Sequence, residues 1–207
     1  LLTLFDLKII TPDINIATIM DSETYRSRDY LAYFYPEIKP FLTAKKQIKY
    51  QNQVNKINND PKNPNSFNEK RKIGENESYF CQLIRDDSIE EFVRFVNQSN
   101  ISLDMKIKNS ISETNFRLLK QKKYPLINYA AFCGAIKIFN YLITNMVRMD
   151  SRLWIFTIHS QCSELIFQLE NNKIQPPNSL LYELLECHND DVTNYVQNNY
   201  QLENSKS

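Results

Sequence analysis

Residues 126–143 read LINYAAFCGAIKIFNYLI, and the same pattern returns twice at intervals of 27 residues. The further copies are residues 153–170 (LWIFTIHSQCSELIFQLE) and 180–197 (LLYELLECHNDDVTNYVQ), which align with the first without gaps. A fourth segment, residues 79–96 (YFCQLIRDDSIEEFVRFV), fits the same phase but lies 47 residues upstream. A fixed period of this size predicts a solenoid of repeats, an architecture that builds binding surfaces more often than catalytic pockets.

Each copy reads as two short helices joined by a tight turn. Ile136, Phe139 and Leu142 recur at helical spacing and mark the apolar stripe of a second helix. Gly134 ends the first helix, because a residue without Cβ readily takes the left-handed conformation required there. The stripe of one pair cannot be buried alone, so neighbouring pairs must stack.

Three of the four turns lack glycine at the position of Gly134. They carry instead Asp87, Gln161 and His188. Because these residue types adopt the left-handed conformation less readily, we expect looser turns there, or turns of a different type.

Residues 130–143 (AAFCGAIKIFNYLI) resemble the two-helix core of an ankyrin repeat, whose consensus runs Ala-Ala-x-x-Gly-x-x-x-x-Val-x-x-Leu-Leu. Pro125-Leu126 is similar to the Thr-Pro-Leu-His opening one residue early, and Asn128 stands in place of the usual His. The resemblance covers about half the chain. It is most specific over residues 124–145, weaker over residues 151–171 and 178–200, and weakest over residues 78–98. It is nearest to the degenerate ankyrin-like families of single-celled eukaryotes.

The resemblance implies an all-α solenoid of stacked helix pairs that binds a protein partner and catalyses no reaction. Ankyrin units span 33 residues, so a spacing of 27 removes roughly the β-hairpin finger between units. We therefore expect binding through the concave helical face. Its candidate contacts are first-helix positions expected to point away from the core: Asn128, Tyr129, Phe132, Phe156, Tyr182 and Glu183.

The rest of the chain is organised around this array of repeats, residues 78–200. We expect a helical N-terminal region (1–57) with helices over 13–20, 21–35 and 41–57, broken at Pro36 and Pro40. The remaining segments are a flexible polar linker (58–77), an insert (99–123) and a disordered tail (201–207). The insert reads as one short strand or extended segment followed by a helical turn, and the alternative is a further degenerate repeat. The N-terminal aromatic residues either cap the array or form a partner-binding patch: Tyr30, Tyr33, Phe34 and Tyr35. Apolar residues of the third repeat are assigned to the core between repeats: Trp154, Phe156, Ile158, Leu165, Ile166, Phe167 and Leu169.

Charge is unevenly distributed along the chain. Residues 1–149 carry 22 basic and 16 acidic side chains (+6), whereas residues 150–207 carry 3 and 8 (−5). The basic excess lies in residues 45–72, in Lys45, Lys46, Lys49, Lys56, Lys62, Lys70, Arg71 and Lys72. The alternative function is therefore binding of nucleic acid or another anionic surface through this stretch. The competing interpretation is a solvated segment.

Chemical motifs are few. The chain has no P-loop, no G-x-G-x-x-G and no G-x-S-x-G, and its two glycines cannot build a phosphate cradle. His159 with Cys162, and Cys187 with His188, could approach as a metal set, and Cys187 with His159 could form a nucleophile pair. Neither spacing is an established pattern, so we expect no metal, no cofactor and no catalysis. Scattered cysteines and the absence of a long apolar run or signal sequence predict reduced thiols in a cytoplasmic, monomeric protein, and the initial Leu suggests a fragment.

Overall fold

The computed structural model describes residues 4, 7–22, 30–59, 61, 66–119, 121–187 and 190–200. Over these residues the chain is mostly helical with one small two-stranded sheet, which agrees with the predicted all-α class. It divides into two compact units, residues 1–79 with 108–123 and residues 80–107 with 124–207. In this part of the chain, every helix is too short or too polar to cross a membrane.

The described elements follow one another along the chain as fourteen α-helices, one 3₁₀ turn and two strands. In order they are α1 (Ile14–Ser22), α2 (Tyr30–Tyr33), α3 (Tyr35–Ile38), the 3₁₀ turn (Lys39–Phe41), α4 (Ala44–Asn58), α5 (Phe67–Ile73), α6 (Tyr79–Arg85), α7 (Ile89–Gln98), β1 (Lys106–Lys108), α8 (Phe116–Leu119), β2 (Lys123–Pro125), α9 (Leu126–Cys133), α10 (Ile136–Thr144), α11 (Leu153–Ser160), α12 (Ser163–Asn171), α13 (Leu180–Cys187) and α14 (Asp190–Asn199).

The first unit has its own aromatic core. Tyr33, Phe34 and Tyr35 are buried there with Tyr50 and Phe67, so these N-terminal aromatic side chains pack within their unit. The side chain of Tyr30 lies outside the described part. The buried hydroxyl of Tyr33 keeps a hydrogen-bond partner, because it donates a hydrogen bond of 2.9 Å to the carbonyl of Arg71.

Two predictions for the N-terminal helices need correction. The helix predicted over residues 21–35 is described only from Tyr30 onwards, and there it forms α2 and α3 with a turn at Phe34. Pro36 does not break the chain, because it occupies the first turn of α3, where its missing N–H has no helical partner to lose.

The predicted flexible linker, residues 58–77, also needs correction, because it contains the helix α5. Ser66 accepts a hydrogen bond from the backbone of Glu69, and the Glu69 carboxylate accepts one from the backbone of Ser66, which makes a capping box. Gly74 ends the helix in the left-handed conformation. The polar composition concealed this capping signal and the single buried apolar residue of the helix, Phe67.

The second unit contains the helix pairs that the sequence period predicts. The first helices pack in succession, α9 on α11 and α11 on α13, and each also packs on the second helix of its own pair. Equivalent positions of the 27-residue period share one environment: Leu126, Leu153 and Leu180 are all fully buried. The period therefore corresponds to a repeated packing position in the structure.

The turns within the pairs are more alike than expected. Asp87 and Gln161 adopt the left-handed conformation at φ 47° and 55°, as Gly134 does at φ 70°, so the expectation of a different turn type is wrong for these two residues. The equivalent His188 lies outside the described residues. Asp87 is held by a further interaction, because its carboxylate accepts hydrogen bonds of 3.0 Å from the backbone of Lys137 and Ile138 at the start of α10.

The second helices end in a repeated motif as well. In each of three pairs a backbone N–H bonds to the carbonyl five residues earlier, as in a Schellman motif: Ile101 to Val96, Val147 to Leu142, and Ile174 to Leu169. The residue before each donor is left-handed: Asn100, Met146 and Lys173.

The insert between the first two pairs contains both of the predicted element types. Its strand is limited to β1, which pairs with β2, and the helical turn corresponds to α8. The predicted tail, residues 201–207, lies outside the described residues.

Candidate interaction surface

The structure does not expose most of the six predicted contact residues. Asn128, Tyr129, Phe156 and Glu183 are at most 9% exposed, Phe132 is half-buried, and Tyr182 is 56% exposed. The expected orientation away from the core is therefore wrong for four of them. For Phe156 the reason is that its helix, α11, packs on both α9 and α13.

Tyr129 is an example of a predicted contact residue that is fully buried. Its hydroxyl accepts a hydrogen bond of 2.9 Å from Arg85, and its ring stacks on Tyr124 at a centroid distance of 5.5 Å. Burial, together with the nearby Cys133 and Cys81, raises the pKa of Tyr129 far above its usual range. A partner could not reach this side chain without opening the helix array.

The structure brings together one of the predicted chemical pairs. The sulfur of Cys187 lies 3.3 Å from Nδ1 of His159 and 3.6 Å from Nε2, while Oε2 of Glu183 lies 3.7 Å from Nε2. The ring of Phe132 covers the same imidazole at a centroid distance of 5.8 Å. Because the sulfur is almost equally far from both ring nitrogens, it does not lie along the lone pair of either one, as general-base activation of a thiol requires.

Metal ligation finds no support at this position. Within the described ranges, no group of three or more His, Cys, Asp and Glu side chains is arranged to hold a metal ion. His188, one of the four candidate ligands, lies outside them. Cys187 on α13 and His159 on α11 are in direct contact.

The basic stretch 45–72 is not a continuous charged surface. Lys70 is buried and donates a hydrogen bond of 2.9 Å to the carbonyl of Ile57. Arg71 is 4% exposed and forms an ion pair with Glu37 while donating to the carbonyl of Tyr33. Lys62 lies outside the described residues. The cations that remain exposed lie mainly on α4.

The second unit has an apolar groove that was not predicted from the sequence. It runs between α12 and α14, has a volume of about 310 Å³, and is referred to below as the α12–α14 groove. Its walls are built by Ile166, Phe167 and Glu170 from α12 and by Asp191, Val192 and Tyr195 from α14. Phe167 is 58% exposed, so its assignment to the core between repeats is wrong.

A signal for this surface was present in the repeat alignment. The positions equivalent to Phe167 in the neighbouring pairs are Asn140 and Asn194, both polar. Asparagine at this position in both neighbouring pairs indicates that it faces solvent, and the buried stripe of α12 is supplied by Leu165, Ile166 and Leu169.

The carboxylate of Glu170 in the groove is held in place by hydrogen bonds. The hydroxyls of Tyr195 and Tyr200 both donate to Oε1 of Glu170, at 2.7 and 2.9 Å. Its hydrogen bond to Glu170 raises the pKa of Tyr195. Burial is the larger cause that raises the pKa of Tyr200, and its own hydrogen bond to Glu170 is the second. Tyr200 also contacts Trp154 edge-on at 5.3 Å, which ties this corner of the groove to the core.

Comparison with known proteins gives no relative. No family model matches the chain, and neither a curated protein nor a solved structure matches it.

Proposed function

We propose that this chain is a non-enzymatic protein-interaction module of ankyrin-like stacked helix pairs, with the α12–α14 groove as its contact surface. The 27-residue period, the left-handed turns within the pairs and the Schellman motifs at their ends support the repeat interpretation. Repeat arrays of this kind present extended surfaces for partners.

The exposure of Phe167 is the observation that carries the functional proposal. Contiguous apolar surface on a folded domain marks interaction sites, whereas isolated apolar residues need no explanation. Phe167 is not isolated, because the partly exposed Val192 and the exposed Tyr195 of α14 line the same groove. The predicted first-helix face retains only Tyr182 as a well-exposed member.

We propose no catalytic role because of the geometry of Cys187 and His159. Cys187 and His159 are in contact without the in-line arrangement that a nucleophile and base need. Binding of nucleic acid is disfavoured because Lys70 and Arg71 are engaged in buried contacts of the first unit.

Affinity capture with the tagged full chain tests the proposal. We compare the wild type with Phe167→Ser, with Tyr182→Ser and with Ile48→Ser, which removes a similarly exposed apolar side chain (64%) from the first unit. The expected result is one or more proteins retained by the wild type and by Ile48→Ser and lost with Phe167→Ser. Loss with Tyr182→Ser alone assigns binding to the first-helix face instead. Retention of the same proteins by all variants, or of none by the wild type, contradicts the proposal.

A further inference from the structure

The floor of the α12–α14 groove is small and apolar. Its volume of about 310 Å³ is at the lower end of the range for cavities that enclose ligands. Ile166, Phe167 and Val192 supply the apolar surface. One or two large apolar side chains fill a space of this size, so the groove matches a short anchoring segment better than a broad, flat interface.

The walls of the groove add negative charge to this apolar floor. Glu170 on α12 and Asp191 on α14 both line it. The two tyrosine hydroxyls that donate to Oε1 fix the orientation of the Glu170 carboxylate. A carboxylate accepts about four hydrogen bonds in total, so Glu170 retains the capacity to accept a donor from a ligand.

The C-terminal part of the chain that contains the groove also has an excess of acidic side chains. Residues 150–200 hold 7 acidic and 2 basic side chains, and none of the residues that line the groove is basic. One of the basic side chains, Arg152, pairs with Asp150 at 2.6 Å. The local field therefore attracts Lys and Arg side chains and repels phosphate groups, which argues for a polypeptide and against a nucleic acid.

We infer that the α12–α14 groove binds a basic amphipathic segment of a partner protein, seating an apolar side chain on Phe167 while flanking Lys or Arg side chains meet Glu170 and Asp191. This inference rests on the proposed interaction function and specifies the chemistry of the partner. A groove between two helices is the surface into which an amphipathic helix docks its apolar residues. Charge complementarity at the walls then selects the partner and speeds its association.

An unbiased peptide selection tests the inference. The full chain is the target for a displayed library of random peptides on the order of twelve residues, about three helical turns. Peptides that also bind Phe167→Ser are removed. The expected result is enrichment of peptides that combine large apolar residues with Lys or Arg and carry a net positive charge.

Binding of one enriched peptide, measured by fluorescence anisotropy, resolves the contributions. Phe167→Ser is expected to weaken binding about thirtyfold, as for an interface hot spot. Glu170→Gln and Asp191→Asn are each expected to weaken it about threefold to tenfold and to reduce its salt dependence. Glu164→Gln removes an exposed carboxylate from the same helix but outside the groove, and it should leave binding unchanged. Thermal unfolding of each variant controls for loss of the fold.

The outcomes separate this inference from the proposed function. Enrichment of Phe167-dependent peptides that are neutral or acidic overturns the assignment of a basic partner and leaves the interaction function standing. A selection without Phe167-dependent peptides also overturns the inference, while Phe167-dependent capture of intact proteins still supports the interaction function. If the carboxamide variants bind the peptide as tightly as the wild type, the role of the acidic walls is refuted.

Discussion

Asp87 links two helix pairs of the second unit, and its replacement by alanine should lower the free energy of unfolding by about 2–3 kcal/mol. It belongs to the turn after α6, yet its carboxylate accepts the backbone N–H groups of Lys137 and Ile138 in the first turn of α10. Ala135, the N-cap residue of α10, has no side-chain cap of its own. Asp87 therefore takes over the capping role from a distant position in the sequence.

The magnitude combines three effects. Loss of a side-chain cap costs about 0.5–2 kcal/mol, and loss of negative charge at a helix N-terminus costs about 0.3–1 kcal/mol. Alanine at φ 47° adds a steric cost of about 1–2 kcal/mol, part of which aspartate already bears. Asp87→Gly loses the cap without the steric cost, so a loss of about 1–2 kcal/mol is expected. Asp87→Asn keeps one acceptor oxygen and should lose about 1 kcal/mol.

Urea unfolding followed by tryptophan fluorescence measures these differences. Trp154 is the sole tryptophan of the chain and is fully buried in the second unit, so its emission reports the unit that contains Asp87. Asp86→Ala, a change at the exposed neighbouring residue, serves as the control and should alter the unfolding free energy by less than about 0.5 kcal/mol. If Asp87→Ala lies within that same margin of the wild type, the capping argument is refuted.

Two further substitutions test other features of the fold. Met146 is 89% exposed at φ 62°, so Met146→Gly should raise the unfolding free energy by about 0.5–1 kcal/mol in the same fluorescence assay; a decrease would contradict the assignment of backbone strain. Arg71→Met leaves Glu37 without its buried ion-pair partner and should cost about 3–5 kcal/mol by circular dichroism. The added change Glu37→Leu should restore at least half of that loss, and a double variant as unstable as Arg71→Met would argue against uncompensated charge as the cause.

The sequence predicted the helix pairs because each one is encoded locally. Residues 126–143 contain an apolar stripe at helical spacing and a glycine at the turn, and the structure places α9 and α10 on either side of Gly134. The turns at Asp87 and Gln161 could not be judged in the same way. The turn at Asp87 is held by backbone hydrogen bonds and by its contact with a distant helix, and at the turn of Gln161 the backbone N–H of Cys162 donates to the hydroxyl of Ser160.

The candidate surface was harder to predict because exposure depends on the packing of neighbouring helices. Helical spacing places Phe156 and Leu153 on neighbouring positions of α11, but it does not indicate how much of that helix its neighbours α9 and α13 cover, and Phe156 is buried. Arg71 shows the same limitation for a residue that was expected to be exposed and is buried. A charged residue in a polar stretch suggests solvent exposure, whereas its partner Glu37 is 34 residues away in sequence and draws it into the core.

Leu185 indicates where the second unit opens most readily. Its equivalents Ala131 and Ile158 are buried, whereas Leu185 is 60% exposed, so in the described part of the chain α13 is less covered by neighbouring helices than α9 and α11 are at this position. Local opening costs less free energy where a helix pair has fewer packed neighbours, so amide hydrogens of α13 and α14 should exchange before those of α9 and α10. The α12–α14 groove spans this less protected pair and its neighbour, so an occupant of the groove would clamp the two together and slow that exchange.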